Sequence, residues 1–185
     1  ISGFEFLSCI PGTIGGGLKI NSGCYGREFK DILLSVQVID RKGIIKTIPS
    51  NYINYSYRSS SLDKNFIFLS ASFKGEKKEF SKIQTEMENL KKEKNITQPS
   101  RIKTGGSTFK NHKHKKAWEL IKESGCDKFS IGDAKISEKH SNFFINNGNA
   151  KTSDVEQLIN KVKKEVYNKT GINLELEIKI IGNEK

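Results

Sequence analysis

The chain of 185 residues is 35% hydrophobic and carries a formal net charge of +11. This apolar fraction is low for a globular protein but lies above that of disordered chains, and the length allows one large core or two small ones. The apolar runs are too short to cross a membrane and the start shows no signal-peptide pattern, so neither a membrane nor a secreted protein is expected.

The positive charge makes a polyanionic partner worth considering. The lysines, however, alternate with glutamates at helical spacing in "KGEKKEFSKIQTEMENLKKEKN", which is typical of a solvated helix face. The three cysteines, Cys9, Cys24 and Cys126, lie far apart and form no C-x-x-C pair. They predict reduced thiols in a cytoplasmic protein and disfavour a disulfide framework or a zinc site.

The first part of the chain combines glycines with strand patterns. The opening "ISGFEFLSC" lacks an initiator methionine and begins in mid-pattern, so we expect a natural N-terminal part to precede it. Six glycines between positions 12 and 26 predict left-handed backbone or close approach to a bulky group. Next, "LLSVQVID" and "GIIKTIP" flank the turn "RKG" and predict a β-hairpin. "NFIFLSASFKG" predicts another strand, buried on both faces.

Helical periodicity begins at position 80. Apolar residues recur there at steps of three and four, namely Phe80, Ile83, Met87 and Leu90. They predict an amphipathic helix of about five turns that gives way near Pro99. "KKAWELIKESG" predicts a second helix with Ala117, Leu120 and Ile121 on one face and Gly125 as its stop.

A third helix and a last strand close the chain. Ser153 and Glu156 fit a capping box, and Gly171 is the expected end of the helix. Its apolar stripe comprises Val155, Leu158, Ile159, Val162 and Val166. The final "INLELEIKIIG" alternates and predicts a strand. These elements predict an α+β fold.

The glycine-rich stretch "IPGTIGGGLKINSGCYG" is a first candidate site. It is not a P-loop, because Gly17 is followed by Leu18 and Lys19 rather than by the Lys-Ser/Thr pair that binds phosphate and magnesium. Two interpretations stay open. The stretch is either a tight turn between core elements or a backbone cradle for an anionic or flat ligand.

The segment "GGSTFKNHKHKK" is a second candidate. His112 and His114 are flanked by four lysines with no carboxylate or thiol nearby, which disfavours a metal site. Few aromatics are interleaved with the basic residues, which disfavours a nucleic-acid contact. Ser107 lies in no G-x-S-x-G elbow, but a well-placed hydroxyl can protonate a strongly basic carbon.

Arg58, in "YSYRSSS", is one of a few arginines in a lysine-dominated chain. Its planar guanidinium can bind a carboxylate through two hydrogen bonds, which a lysine cannot reproduce. On the residues alone, a surface role for Arg58 and a turn role for Ser107 stay open.

Five stretches in this order resemble the UDP-N-acetylenolpyruvoylglucosamine reductase (MurB) family: "GFEFLSCIPGTIGGGLKINSGCYG", "YSYRSSS", "GGSTFKN", "IGDAKISEKHSNFFINNGNA" and "GINLELEIKIIG". The resemblance covers essentially the whole chain with its spacing preserved. No long segment separates "YSYRSSS" from "GGSTFKN", which is similar to the loop-less (type II) subgroup.

The resemblance implies two domains. Residues 1–76 would be the C-terminal part of an FAD-binding domain of the p-cresol methylhydroxylase (PCMH) type, and residues 77–185 a small α+β substrate-binding domain. The N-terminal half of the flavin domain would be absent from this chain.

The resemblance also implies an activity. It is the NADPH- and FAD-dependent reduction of UDP-N-acetylglucosamine enolpyruvate to UDP-N-acetylmuramate in peptidoglycan synthesis. The protein would be a cytoplasmic monomer with neither nucleic acid nor membrane as a partner. The alternative is a small basic module that binds nucleic acid or another polyanion without catalysis.

The family's motifs imply roles for individual residues. Arg58, Ser107 and Glu177 would be catalytic. The flavin would be contacted by Ile10, Pro11, Gly12, Thr13, Gly15 and Gly16, and the substrate by Tyr57, Lys110, Asn111, Lys139 and His140. Hydride addition to the enol ether leaves negative charge beside its carboxylate. Arg58 and Glu177 would stabilise this charge, and Ser107 would protonate the adjacent carbon.

Three residues depart from the family pattern. Cys9 precedes "IPG" where a small residue such as glycine is usual, His112 stands where proline is usual, and Lys179 where arginine is usual. We expect His112 to make its loop less rigid and Lys179 to alter a contact near the flavin.

Overall fold

The computed structural model describes residues 1–182 of a chain that divides into two compact units, Ile1–Lys94 and Asn95–Lys185. Each unit combines strands and helices and has its own hydrophobic core, which confirms the α+β class. The boundary expected between residues 76 and 77 stays a prediction. The helix Phe80–Thr97 extends across the division between the compact units.

The first unit is built mainly from short strands. Its helices are α1 (Ile14–Lys19), α2 (Phe80–Thr97) and the 3-10 turns Glu5–Cys9, Phe29–Asp31 and Ser50–Tyr52. Its strands are β1 (Gly23–Cys24), β2 (Arg27–Glu28), β3 (Leu33–Ile39), β4 (Ile45–Pro49), β5 (Tyr55–Ser56), β6 (Ser59–Ser60) and β7 (Ile67–Phe73).

An antiparallel sheet of order β4-β3-β7 organises this unit. The predicted hairpin is confirmed as β3 and β4, and the Asp40 carboxylate closes its turn by accepting from the N–H groups of Lys42 and Ile44 at 2.9 and 3.0 Å. Alternate side chains of β3 point inward, so Val36 and Val38 are fully buried. They pack with Leu18, Phe29, Leu33, Ile53 and Leu62.

Strand β7 is present, but the prediction that both its faces are buried is wrong. It lies at an edge of the sheet, and Ile67 and Leu69 are 66% and 46% exposed. Phe68 faces inward and packs beside Gly15 of α1. Although the sequence of β7 begins with an apolar run, only one face of the strand packs against the core and the other is exposed to solvent.

Helix α2 has the predicted length of 18 residues and ends two residues before Pro99, as the steric restriction before a proline favours. Its apolar stripe is only half-buried at Ile83, Met87 and Leu90, and Phe80 is 78% exposed. The periodicity thus predicted the helix correctly, although the stripe enters neither core.

The second unit places two helices against a small sheet. Its elements are β8 (Lys103–Ser107), α3 (Ala117–Glu123), β9 (Ser130–Ile131), β10 (Ala134–Ile136), β11 (Phe143–Asn146) and α4 (Thr152–Thr170). The sheet has the order β8-β11-β10-β9 and is antiparallel. The predicted helix faces are confirmed, since Leu120, Ile121 and Leu158 lie in the core. Gly125 and Gly171 end their helices at positive φ, as predicted.

The predicted capping box of the third helix is wrong. Helix α4 begins at Thr152, one residue before Ser153, which shifts every cap position. The Asp154 carboxylate, rather than that of Glu156, accepts from a backbone N–H at the start of the helix, that of Lys151, at 2.9 Å.

The predicted closing strand is also wrong as a regular element. "INLELEIKIIG" forms only an isolated bridge between Phe109 and Leu176. Its alternation arises because Ile172, Leu174 and Leu176 pack against the core of the second unit. Among residues 1–182, no helix combines the length and apolarity needed to span a bilayer.

Candidate functional site

Ser107 is the last residue of β8 and pairs with Phe143 of β11. Gly106, immediately before it, has φ +84°, a left-handed conformation that a residue with a side chain adopts only under strain. The backbone therefore turns just ahead of Ser107, and the half-buried hydroxyl group is carried at the end of a strand.

Asn142 fixes the residues that follow Ser107. Its carbonyl accepts from the N–H of Thr108 at 2.8 Å, and its side chain bonds both the N–H and the carbonyl of Phe109, at 2.9 and 2.8 Å. Asn142 is 3% exposed. Asn142 is not among the site residues predicted from the sequence, although a polar asparagine directly before the apolar run "FFI" is a recognisable signal.

Glu177 lies beside this segment in the second unit. Its N–H donates to the Thr108 carbonyl at 2.9 Å, and the N–H of Lys110 donates to the Glu175 carbonyl at 2.8 Å. Ser107 and Glu177, remote in sequence, are thereby brought onto adjacent stretches of chain. The Glu177 side chain is half-buried.

Lys110 and Asn111 have local partners of their own. The Lys110 ammonium forms an ion pair with the exposed Glu175 carboxylate. Asn111 Oδ1 accepts from the N–H of Ala117 at 2.9 Å and so caps the start of α3. Asn111 is exposed as a residue, so these contacts leave the loop open to solvent on one side.

Lys139 and His140 lie in the turn before β11. The Lys139 ammonium donates to the Asn95 carbonyl. The His140 ring is half-buried between Trp118 and Phe143, with ring centroids 6.4 and 4.8 Å away. Burial lowers the pKa of His140 below its ordinary value. The Nδ1 atom of His140 accepts from the N–H of Asn142 at 3.2 Å, so the proton of the neutral ring is on Nε2.

Arg58 occupies the turn between β5 and β6 in the first unit. Its φ of +54° is unusual for a residue with a side chain and marks local backbone strain. Its Nη2 atom donates to the Gly23 carbonyl at 3.2 Å, and its guanidinium carbon lies 4.9 Å from the centroid of the Tyr57 ring. The guanidinium is thus oriented from two sides.

Asn21, which is not among the site residues predicted from the sequence, joins this hairpin to the glycine-rich stretch. The side chain is fully buried and satisfied. Its Nδ2 donates to Glu28 Oε2 at 3.0 Å and to the Ser56 carbonyl at 3.3 Å, while its Oδ1 accepts from the N–H of Lys30 at 3.0 Å. The neighbourhood of Arg58 is therefore held by a buried amide.

The glycine-rich stretch forms the short helix α1, whose N-cap is Thr13. A methyl group on Gly17 would come within 2.3 Å of the Phe29 ring, so this glycine allows close packing. Gly12 has φ +119° and open space where a Cβ would lie. A cleft of about 330 Å³ runs along the stretch and is lined by Ile10, Pro11, Gly12, Thr13, Gly16 and Gly17, among others. The stretch therefore packs closely at Gly17 and borders an open cleft at Gly12, and its role as a ligand cradle stays a prediction.

The histidines and the basic residues were further candidates from the sequence. The rings of His112 and His114 lie 5.6 Å apart on the exposed loop. Within residues 1–182, no three His, Cys, Asp or Glu side chains are grouped as metal ligands would be. The described positive charges are partly paired, as in Lys78–Glu86 and Lys115–Glu123.

The fold and these local arrangements define the class: a two-unit α+β protein with a glycine-lined cleft in the first unit and, in each unit, a buried asparagine that hydrogen-bonds neighbouring segments. The profile of the "UDP-N-acetylenolpyruvoylglucosamine reductase, C-terminal domain" (MurB_C) matches residues 98–181. The chain is thus similar to the UDP-N-acetylenolpyruvoylglucosamine reductase (MurB) family.

Curated relatives with this family name align with nearly the whole chain. The reductase of Pelagibacter ubique is 55% identical over 184 residues, and that of Rickettsia conorii 47% over 182 residues. Each alignment covers 98% of this chain, but 61% and 62% of the relative. The chain therefore spans about three-fifths of the length of these relatives.

A solved structure supports the same fold. The MurB crystal structure from Thermus caldophilus superposes with a TM-score of 0.85 at 32% identity. The match covers 96% of this chain and 64% of that one.

Proposed function

We propose that this chain is part of an enzyme that reduces UDP-N-acetylglucosamine enolpyruvate to UDP-N-acetylmuramate for peptidoglycan synthesis, with FAD and NADPH. The observation that carries the proposal is the hydrogen bond from the Glu177 N–H to the Thr108 carbonyl at 2.9 Å. It joins the "GGSTFKN" segment to the closing "LELEIK" segment, so the proposed proton donor and the proposed carboxylate come from neighbouring stretches.

Ser107 is the proposed proton donor. The substrate is an enol ether conjugated to a carboxylate, and reduction of its terminal carbon leaves the adjacent carbon strongly basic. An alcohol is acidic enough to protonate such a carbon if it is held in place, and solvent then replaces the proton. A strand end preceded by a left-handed glycine provides a fixed position for the hydroxyl.

Arg58 and Glu177 are proposed to stabilise the negative charge that develops on the substrate carboxylate. The Arg58 guanidinium offers several donors, and one already bonds the Gly23 carbonyl. Strained backbone at Arg58 is typical of functional positions. Glu177 contributes a hydrogen bond or a shared proton.

The glycine-lined cleft of the first unit fits a flat, largely apolar group. Gly12 leaves room beside its backbone, and Ile10, Pro11 and Thr13 line the same cleft. We propose that Ile10, Pro11, Gly12, Thr13, Gly15 and Gly16 contact FAD. When bound, FAD takes a hydride from NADPH and supplies it to the enolpyruvyl double bond.

The remaining proposed contacts concern the nucleotide sugar. Tyr57, Lys110, Asn111, Lys139 and His140 are proposed substrate contacts. The net charge of +11 suits a reaction whose ligands are all anionic. We further propose a cytoplasmic, monomeric protein, in which residues 1–76 belong to the flavin domain of the PCMH type and residues 77–185 to the substrate domain.

The proposal is tested with the complete protein that carries this sequence. A bound flavin should give visible absorption, and NADPH oxidation should depend on added UDP-N-acetylglucosamine enolpyruvate, with UDP-N-acetylmuramate identified by mass. A protein without flavin that binds random oligonucleotides at high salt would instead support the nucleic-acid module.

A further inference from the structure

We infer that Asn142 is a positioning residue for Ser107, an inference that rests on the proposed function. Asn142 does not reach the reaction itself. It bonds the two residues directly after Ser107, Thr108 and Phe109, through three hydrogen bonds of 2.8 to 2.9 Å. The placement of the hydroxyl then depends on one buried amide.

The amide group of Asn142 acts like a peptide group of a neighbouring strand. Its Oδ1 accepts from the N–H of Phe109 and its Nδ2 donates to the carbonyl of the same residue. Phe109 is fully buried, so water cannot replace either bond. Only asparagine offers one donor and one acceptor at this reach; aspartate offers two acceptors and leaves the Phe109 carbonyl without a donor.

Asn142 is itself held from the opposite side. Its N–H donates to His140 Nδ1 at 3.2 Å, and the next residue, Phe143, donates to the His140 carbonyl at 2.9 Å and pairs with Ser107. The turn from residue 140 to 143 is therefore fixed at both ends. Because this turn is held in place, its hydrogen bonds also hold the segment that follows Ser107.

The same segment faces Glu177 on its other edge. The Thr108 carbonyl accepts from the Glu177 N–H, while the Thr108 N–H donates to the Asn142 carbonyl. Thr108 is thus bonded between Asn142 and Glu177, next to Ser107. A displacement of the order of 1 Å at such a position can cost about 10²-fold in rate.

The test compares Asn142→Ala with a matched control, Asn146→Ala, in the complete FAD-loaded protein. Asn146 is also on β11, but the side-chain hydrogen bonds described for it all go to Gly148 and Ala150 in the loop that follows. We expect Asn142→Ala to leave flavin reduction by NADPH unchanged and to slow flavin reoxidation by the enolpyruvyl substrate about 10²-fold. Asn146→Ala should leave both rates unchanged.

A double-mutant cycle separates positioning from a general loss of structure. If Asn142 acts through Ser107, then Asn142→Ala should slow reoxidation no further when Ser107 is already alanine. Losses that multiply would overturn the inference. Wild-type protein that binds no flavin, or is not reoxidised by substrate, would overturn the proposed function itself, whatever the variants do.

Two further measurements complement the rates of the alanine variants. Hydrogen exchange at the Thr108 and Phe109 amides should accelerate in Asn142→Ala and not in Asn146→Ala. Asn142→Asp should recover reoxidation relative to wild type as the pH falls, because a protonated carboxyl again donates to the Phe109 carbonyl. If Asn142→Ala does not fold, the decisive quantity is the reoxidation rate of Asn142→Asp divided by that of the wild type at each pH. A ratio that does not rise as the pH falls overturns the inference.

Discussion

The N–H of Glu177 donates to the carbonyl of Thr108 at 2.9 Å, so two segments almost seventy residues apart share one line of hydrogen bonds. A second bond, from the Lys110 N–H to the Glu175 carbonyl at 2.8 Å, continues this line. Glu175 is exposed and pairs with Lys110, whereas Glu177 is half-buried. Of these two glutamates, Glu177 is therefore the one that is partly shielded from solvent.

Substitutions of Glu177 should distinguish a hydrogen bond from a charge. Glu177→Gln keeps a hydrogen-bonding group of the same size, so we expect a smaller loss of kcat than in Glu177→Ala. Glu175→Gln is the control and should leave kcat near wild type, because Glu175 pairs with Lys110 at the surface. Equal losses in Glu177→Gln and Glu177→Ala would mean that the carboxylate charge is required.

Ser107→Ala should separate the two halves of the catalytic cycle. Flavin reduction by NADPH should stay near the wild-type rate, because the role proposed for Ser107 is confined to protonation of the second substrate. Product formation should fall at least about 10²-fold, the usual contribution of general acid catalysis. Stopped-flow absorbance of the flavin measures both steps, and substrate turnover near the wild-type rate would exclude Ser107 as the donor.

Helix periodicity carried most of the fold prediction. Helices α3 and α4 bury the predicted stripes, because a buried face at helical spacing leaves a clear pattern. The sheet β8-β11-β10-β9 escaped prediction, since its strands have two to five residues and "KTGGS" carries no apolar alternation. The prediction for the closing segment was wrong in the opposite way. Its apolar and polar residues alternate as in a strand, yet it forms only one bridge.

The site was predicted from recognised motifs rather than from physical pattern. Nothing in the spacing of Ser107 and Glu177 indicates that their segments lie side by side, because long-range pairing depends on the whole second unit. Asn21 and Asn142 escaped for a related reason. Asparagine is common in turns, so residue type does not reveal burial, although the apolar run after Asn142 is a local signal; the hydrogen-bond partners lie up to 35 positions away.

Gly17 offers a stability test of the glycine-rich stretch. A methyl group at Gly17 would lie 2.3 Å from the Phe29 ring, whereas at Gly16 it would lie 3.3 Å from Thr13 Oγ1. Both substitutions raise helix propensity equally, so their difference isolates the clash. We expect Gly17→Ala to be less stable than Gly16→Ala by about 1–3 kcal/mol in urea unfolding. Equal stabilities would show that Phe29 moves aside without cost.

His140 should make stability depend on pH. Burial lowers its pKa in the folded protein, so on acidification the unfolded chain takes up the proton first. The stability is therefore complete above the ordinary histidine pKa and falls as the pH drops from there toward the lowered pKa. His140→Gln should reduce the dependence of the unfolding free energy on pH in this range. His114→Gln, at an exposed position, is the control and should leave that dependence as it is in the wild type. Unfolding at a series of pH values, with NMR titration of the imidazoles, measures it.

Arg58 and Arg101 form a matched pair, because both are arginines at positive φ, +54° and +56°. Lysine keeps the charge and the same backbone preference but loses the planar donor pair. We therefore expect Arg58→Lys to lower kcat by about 10²-fold, the scale of one electrostatic contact in the transition state. Arg101→Lys should leave kcat unchanged.

The substitution of Arg58 by glycine separates the effect of the backbone strain from that of the guanidinium group. Glycine adopts positive φ without strain, so Arg58→Gly should relieve about 1 kcal/mol of backbone strain. It should also lose the bond to the Gly23 carbonyl, so stability should change little while activity is lost. That outcome would indicate an arginine retained for the reaction at a position where glycine folds equally well. Full activity in Arg58→Gly would instead make the strained turn a structural feature only.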